Sequence, residues 1–167
     1  MSRSPAGKLV GVISDTHGLL RPEAVAVLRG SDLLLHAGDI GAEEILSALG
    51  EIAPVVSVRG NNDVQAWARP VPETADVEIL GMRIHLLHDL SQLSLKPERE
   101  GIQIVVFGHS HKPCNELRNG VLYFNPGSAG PRRFKLPVAL GLLQIENGNV
   151  RGRIVEIAHV PQKTGPA

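Results

Sequence analysis

Five short apolar runs, each rich in β-branched residues and each closing on a polar block, constrain this chain most. They are Leu9–Ser14, Leu33–Ala37, Val55–Arg59, Ile84–Leu87 and Ile104–Gly108. Runs this short, bounded by turn signals, fit strands buried on both faces. Helical patterns separate the first three. Arg21–Gly30 has Pro22 near its start and a glycine at its end. Gly41–Ile52 carries Glu43 and Glu44 in its first turn, where the helix dipole favours them. Strand, helix, strand, helix, strand implies parallel neighbours with right-handed crossovers. The second half changes character. Ala75–Asp89 reads as a hairpin turning near Gly81, and Ala139–Ile157 as another turning at Asn147-Gly148. The expected fold class is therefore α/β, with two packed mixed sheets and outer helices.

A chain of 167 residues is expected to form one domain over 1–167, with 1–7 and 161–167 as loose termini. Its 17 basic residues balance 17 acidic ones. That balance argues against a broad electrostatic grip on nucleic acid or an anionic membrane. Only five aromatic side chains (three Phe, one Tyr, one Trp) are present, which weakens a nuclease reading further. Cys114 has no second cysteine to pair with and reads as a small buried hydrophobe in a reducing compartment. No apolar run reaches a membrane span of about 18 residues, and "MSRSPAGK" lacks the apolar core of a signal peptide. The expected location is the cytoplasm.

The polar blocks carry the chemistry. Asp15-Thr16-His17 follows the first run, Gly38-Asp39 the second, Gly60-Asn61-Asn62-Asp63 the third, His88-Asp89 the fourth and Gly108-His109-Ser110-His111 the fifth. Ligands of open α/β sheets bind beyond the carboxyl ends of strands. One such block is most often a plain turn. Five that supply only carboxylates, amides and imidazoles point together to a metal-binding crevice. In an extended segment, residues two apart point the same way, which would aim Asp15 with His17, and His109 with His111, into one cavity. His36 reads as a hydrogen-bonded core histidine, His85 as facing away from His88, His159 as solvated, Trp67 as packing and "KPERE" as a solvated helix start.

The blocks "SDTHG", "GDI", "GNND", "LLHD" and "GHSH", in this order, resemble the calcineurin-like metallophosphoesterase superfamily. The chain's size and its "NPGSAGPRR" segment are similar to the single-domain YfcE-type phosphodiesterase branch. The resemblance implies a four-layer αββα sandwich and a dinuclear metal site. Asp15, His17 and His111 would bind one ion, Asn61, His88 and His109 the other, and Asp39 would bridge them. The implied activity is metal-dependent hydrolysis of a small phosphoester, in particular a phosphodiester, by in-line attack of a hydroxide held between two ions. Such mixed ligands suit Mn above all, then Fe, Ni or Zn. Catalytic roles fall on Asp39, Asn61 and Asn62, and substrate contacts on Asn62, Asn125, Ser128 and Arg132, with Arg133 an equal candidate to Arg132.

Two departures stand out. The family commonly has histidine where this chain has Asn62, and a neutral amide donates a hydrogen bond but delivers no proton. After His88 the family often has a second histidine; here Asp89 follows, either orienting His88 or capping a helix. The alternative function is a non-catalytic protein-binding scaffold on the same fold, similar to the related retromer subunit. No membrane partner is expected, nucleic acid is disfavoured, and a homo-oligomer is left open.

Overall fold

The computed structural model describes residues 7–133 and 135–157. The expected loose termini and His159 therefore lie outside the described residues, save Gly7, which is buried. Among the described residues, ten strands form two five-stranded sheets. The first holds β1 (Lys8–Ile13), β2 (Leu33–His36), β3 (Val55–Ser57), β9 (Ala139–Glu146) and β10 (Asn149–Glu156), in the order β10-β9-β1-β2-β3. The second holds β4 (Thr74–Ile79), β5 (Met82–Leu87), β6 (Ile104–Val106), β7 (Cys114–Arg118) and β8 (Val121–Asn125), in the order β4-β5-β6-β8-β7. Both sheets are mixed. β1, β2 and β3 pair in parallel, while β9 runs antiparallel to β1.

Side-chain alternation explains the layers. Val10, Val12 and Leu35 of the first sheet meet Ile84, Leu86, Ile104, Val106 and Phe124 of the second in one buried cluster. Ile13, Leu34 and Leu140 face outward, against Ala24 and Leu28 of α1 (Pro22–Leu28) and Ile45 and Leu49 of α2 (Glu43–Gly50). The second sheet has a thinner cover. Leu87, Val105 and Phe107 pack beneath Leu90, Leu93 and Leu95, a one-turn helix at Leu90–Gln92 and a four-residue α3 (Pro97–Glu100). This is the expected αββα sandwich. Strands buried on both faces read as near-continuous apolar runs, which is why β1, β2, β5 and β6 were legible. β7 was not: its five residues are mostly exposed, so no apolar pattern marks it. Its turn, Asn119-Gly120 at φ 51° and 78°, is nevertheless a hairpin signal of the same kind as Asn147-Gly148. Among the described residues, no helix is long and apolar enough to cross a membrane.

Candidate metal centre

The polar blocks converge where β1, β2, β3, β5 and β6 end. Beyond the sheet, the loops after β1 and β2 continue to pair through backbone: Asp15 N–H donates to Gly38 O at 3.0 Å and His17 N–H to Asp39 O at 3.0 Å. The alternation argument gives the right convergence for the wrong reason. Asp15, His17, His109 and His111 are not extended; their φ angles are 55°, 46°, 71° and 62°, and Asp39 joins them at 54°. Non-glycine residues seldom adopt this left-handed region, and clusters of them mark sites where surrounding structure dictates the backbone. Each kink turns a side chain back over the strand ends.

Glycines permit the crowding. A Cβ at Gly60 would lie 2.1 Å from Asp39 Oδ1, and one at Gly108 would lie 2.7 Å from Asp15 Oδ2. Only a residue without a side chain lets backbone pass so close.

Asp15 is fully buried. Its Oδ2 accepts from Ser14 Oγ at 2.6 Å and from His109 N–H at 3.2 Å. Its Oδ1 is presented to the cluster, 3.3 Å from His111 Nε2 and 3.9 Å from both His17 Nε2 and His88 Nε2. Asp39 Oδ2 faces the same two rings, His88 Nε2 at 3.3 Å and His17 Nε2 at 3.8 Å. His88 Nδ1 lies 2.7 Å from Ala37 O; it must carry a proton there, so Nε2 is the ring nitrogen presented to the cluster. Burial pushes the Asp39 carboxyl up, but the facing His88 and the Asn62 backbone and amide outweigh it and hold it well below the carboxylate range. Asp15 behaves alike: burial raises it, and His111, Ser14 and His88 together bring it down. Both carboxylates are therefore ionised.

Two groups of donors gather within 4.8 Å of one another: Asp15, His17 and His111, and Asp15, Asp39 and His88. Six buried side-chain polar atoms lack a hydrogen-bond partner among the described residues, and four of them lie here: Asp15 Oδ1, His17 Nε2, His88 Nε2 and His111 Nδ1. Buried polar atoms without partners are costly and call for an explanation. Carboxylate oxygens and imidazole nitrogens 3.3–3.9 Å apart have the chemistry and roughly the spacing of ligands sharing a cation at about 2.0–2.2 Å. The residues fit divalent metal.

The remaining expected residues sit around this core. Asn61 is exposed at the lip of a cavity that also touches His88. The side chain of His109 is 45% exposed; its ring lies 5.2 Å from that of His88, and its Nε2 is 3.8 Å from Asp89 Oδ2. Asp89 caps the turn, its Oδ1 accepting from Ser91 N–H at 3.0 Å, and does not orient His88: its Oδ2 faces His109 instead. Asn62 donates its backbone N–H to Asp39 Oδ1 at 2.9 Å and its amide to Asp39 Oδ2 at 3.0 Å, so it braces that carboxylate. Asn125 is fully buried; its amide donates to Gly108 O and Ser110 Oγ and its Oδ1 accepts from Gly127 N–H. Ser128 Oγ donates to Asp15 O at 3.1 Å. Both hold the loops that carry Asp15 and His109. Arg132 and Arg133 are exposed.

His36 is a core histidine. Gly38 N–H donates to its Nδ1 at 3.1 Å, so Nε2 carries the proton toward Thr16 Oγ1 at 3.0 Å, and Thr16 donates on to Ile40 O. Burial pushes its pKa down to about 4 from 6.5. The unfolded chain then takes up the proton first as pH falls. Stability should be unaffected by His36 above about pH 6.5 and decline toward pH 4, by up to roughly 3 kcal/mol. Thermal melts of wild type and His36→Gln across pH 7.5 to 4.5 should show the steeper acid loss in wild type; equal slopes would remove His36 from the account.

Sequence reading missed Asp63. It is buried, and its carboxylate accepts three backbone N–H groups: Ile40 at 3.0 Å, Gly41 at 3.0 Å and Gly60 at 2.8 Å. It ties the Asp39 loop to the Asn61 loop. The signal was its place at the end of "GNND", where the preceding asparagines drew attention first. Asp63→Ala strands three backbone donors, two of them buried, and should cost at least about 2 kcal/mol, read by urea denaturation. A loss below about 1 kcal/mol would show that the clamp is dispensable.

A family model described as the calcineurin-like phosphoesterase superfamily domain matches residues 9–148. A probable metallophosphoesterase of Methanothermobacter thermautotrophicus is 36% identical over 160 residues, covering 88% of this chain and 91% of the relative. Phosphodiesterase YfcE of Escherichia coli strain K12 is 30% identical over 155 residues, covering 78% and 84%. Among solved structures, Vacuolar Protein Sorting 29 of Cryptosporidium parvum superposes with a TM-score of 0.71 at 23% identity, over 90% of this chain and 97% of that one.

Proposed function

The chain belongs to the calcineurin-like phosphoesterase superfamily, and from that premise we propose that it is a metal-dependent phosphodiesterase with a dinuclear site. One observation carries the reading: the buried carboxylates of Asp15 and Asp39 and the imidazoles of His17, His88 and His111 gather at the strand ends, where Asp15 Oδ1, His17 Nε2 and His88 Nε2 have no hydrogen-bond partner among the described residues. In this reading Asp15, His17 and His111 hold one ion, Asn61, His88 and His109 the other, and Asp39 lies between. Two divalent ions in such a site supply a nucleophile from water at neutral pH and neutralise phosphoryl charge during in-line displacement.

The chain's own residues do the positioning. Asn62 fixes both oxygens of Asp39. Ala37 O sets the His88 tautomer, so that Nε2 stays free to bind. Asn125 and Ser128 belong to the proposal as braces of the histidine loop and of Asp15. Arg132 stays in it as an exposed phosphate contact. Hydrolysis consumes one water and releases an alcohol and a phosphomonoester.

The likeness to Vacuolar Protein Sorting 29 keeps a scaffold reading in view, since it shows the shared fold alone. Release of 4-nitrophenol from bis(4-nitrophenyl) phosphate separates the two. Chelator-stripped protein should be inert and metal-reloaded protein active. Inertness in both forms, with metal bound, would favour the scaffold.

A further inference from the structure

Beside the metal centre lies a cavity of about 440 Å³. Asn61 at its lip and His88 line it on the side of the candidate ligands. Arg59, Glu73, Thr74, Asp89, Gln92 and Ser94 make up most of the rest, and Leu87 is the only large apolar side chain lining it. Its size suits a small-molecule site, about 300–1,000 Å³, but such sites are usually apolar and this one is polar. An aryl or acyl group would find little to bury against, and a nucleobase no ring to stack on but the His88 imidazole, which is turned to the candidate ligands.

The charges narrow the choice. Arg59 Nη2 donates to Glu73 Oε1 at 3.2 Å, so the cavity's arginine is matched by a carboxylate. Arg59 contributes one positive charge, and Glu73 and Asp89 one negative charge each, which leaves the lining net negative by one. An additional anionic group is disfavoured. What the wall offers is carboxylate oxygens, side-chain amides and hydroxyls. Adjacent alcohol groups satisfy such a wall, because one carboxylate accepts two hydrogen bonds.

We propose that this cavity receives one alcohol group of the substrate and selects a neutral alcohol bearing adjacent hydroxyls, with Glu73 as the specificity-determining acceptor. The inference rests on the phosphodiesterase reading of the adjoining site. Three 4-nitrophenyl phosphodiesters of metal-reloaded full-length chain test it, sharing one leaving group and differing in the second alcohol: glyceryl, glucosyl and propyl. Wild type should prefer the glyceryl or glucosyl ester over the propyl ester roughly tenfold in kcat/KM, and the better of the two identifies the source. Glu73→Ala should bring that ratio close to one. Amide chemical shifts give a second readout: Thr74, Gln92 and Ser94 should move on titration with the hydroxylated esters and not with the propyl ester.

The failures are distinguishable. No turnover of any ester removes the phosphodiesterase reading, while selective amide shifts would still support the cavity. Turnover of all three at equal efficiency, with no selective shifts, overturns the cavity inference and leaves the phosphodiesterase reading intact.

Discussion

Asp39→Asn should lower kcat toward phosphodiesters by at least about 10³-fold while leaving the fold in place. The asparagine keeps one oxygen to accept from the Asn62 backbone, now at 2.9 Å. It removes the negative charge facing His17 and His88, at 3.8 Å and 3.3 Å. It also puts an amide NH2, which cannot bind a cation, where Asp39 Oδ2 faced the imidazoles and accepted from the Asn62 amide. One bound metal should be lost or strongly weakened, as read by elemental analysis after gel filtration. The metal-free melting temperature should stay within a few degrees of wild type, because the site lies beyond the strand ends and outside the three apolar clusters. Near-normal turnover with two bound ions would remove Asp39 from its central place.

The second large effect concerns the proton that a leaving alkoxide needs. Asn62 cannot deliver one, and its amide is already committed to Asp39 Oδ2. The buried imidazoles are assigned to metal. Negative charge on the departing oxygen must then be met by metal or solvent. General-acid help is worth about 10²–10⁴-fold, most for poor alkyl leaving groups and least for aryl ones. Wild-type kcat/KM across a phosphodiester series should therefore fall steeply with rising leaving-group pKa. Asn62→His should flatten the slope, with metal content checked because the variant gives up a brace of Asp39. A shallow wild-type slope would mean another group supplies the proton.

What the sequence made legible was the periodic part. Val10, Val12, Leu35, Ile84 and Val106 are buried in pairs of facing layers, so their strands stand out as apolar runs, and the residues just past each strand were readable as a site. What it hid depends on backbone shape and on distant partners. No pattern of residue types announces that Asp15 and His111 take positive φ, so an extended-strand argument brought Asp15 together with His17 by the wrong path and left His109 apart from His111 unforeseen. Asn125 and Ser128 look like ligand donors in isolation. Only tertiary packing places Gly108, Ser110 and Asp15 where those side chains are consumed. Asp63 was hidden for the same reason: its three donors come from two loops, one of them 22 or more positions away. The cavity is built from three separate chain segments, 59–61, 73–74 and 87–94, which only tertiary packing brings together.

The most direct measurement is a metal titration of chelator-stripped protein, following bound metal and hydrolysis of bis(4-nitrophenyl) phosphate in the same samples. The account predicts no turnover without metal, activity that rises to a plateau at two divalent ions per chain, and loss of turnover together with at least one bound ion in Asp39→Asn. Full turnover in metal-free protein, or two bound ions with no turnover at all, would contradict it.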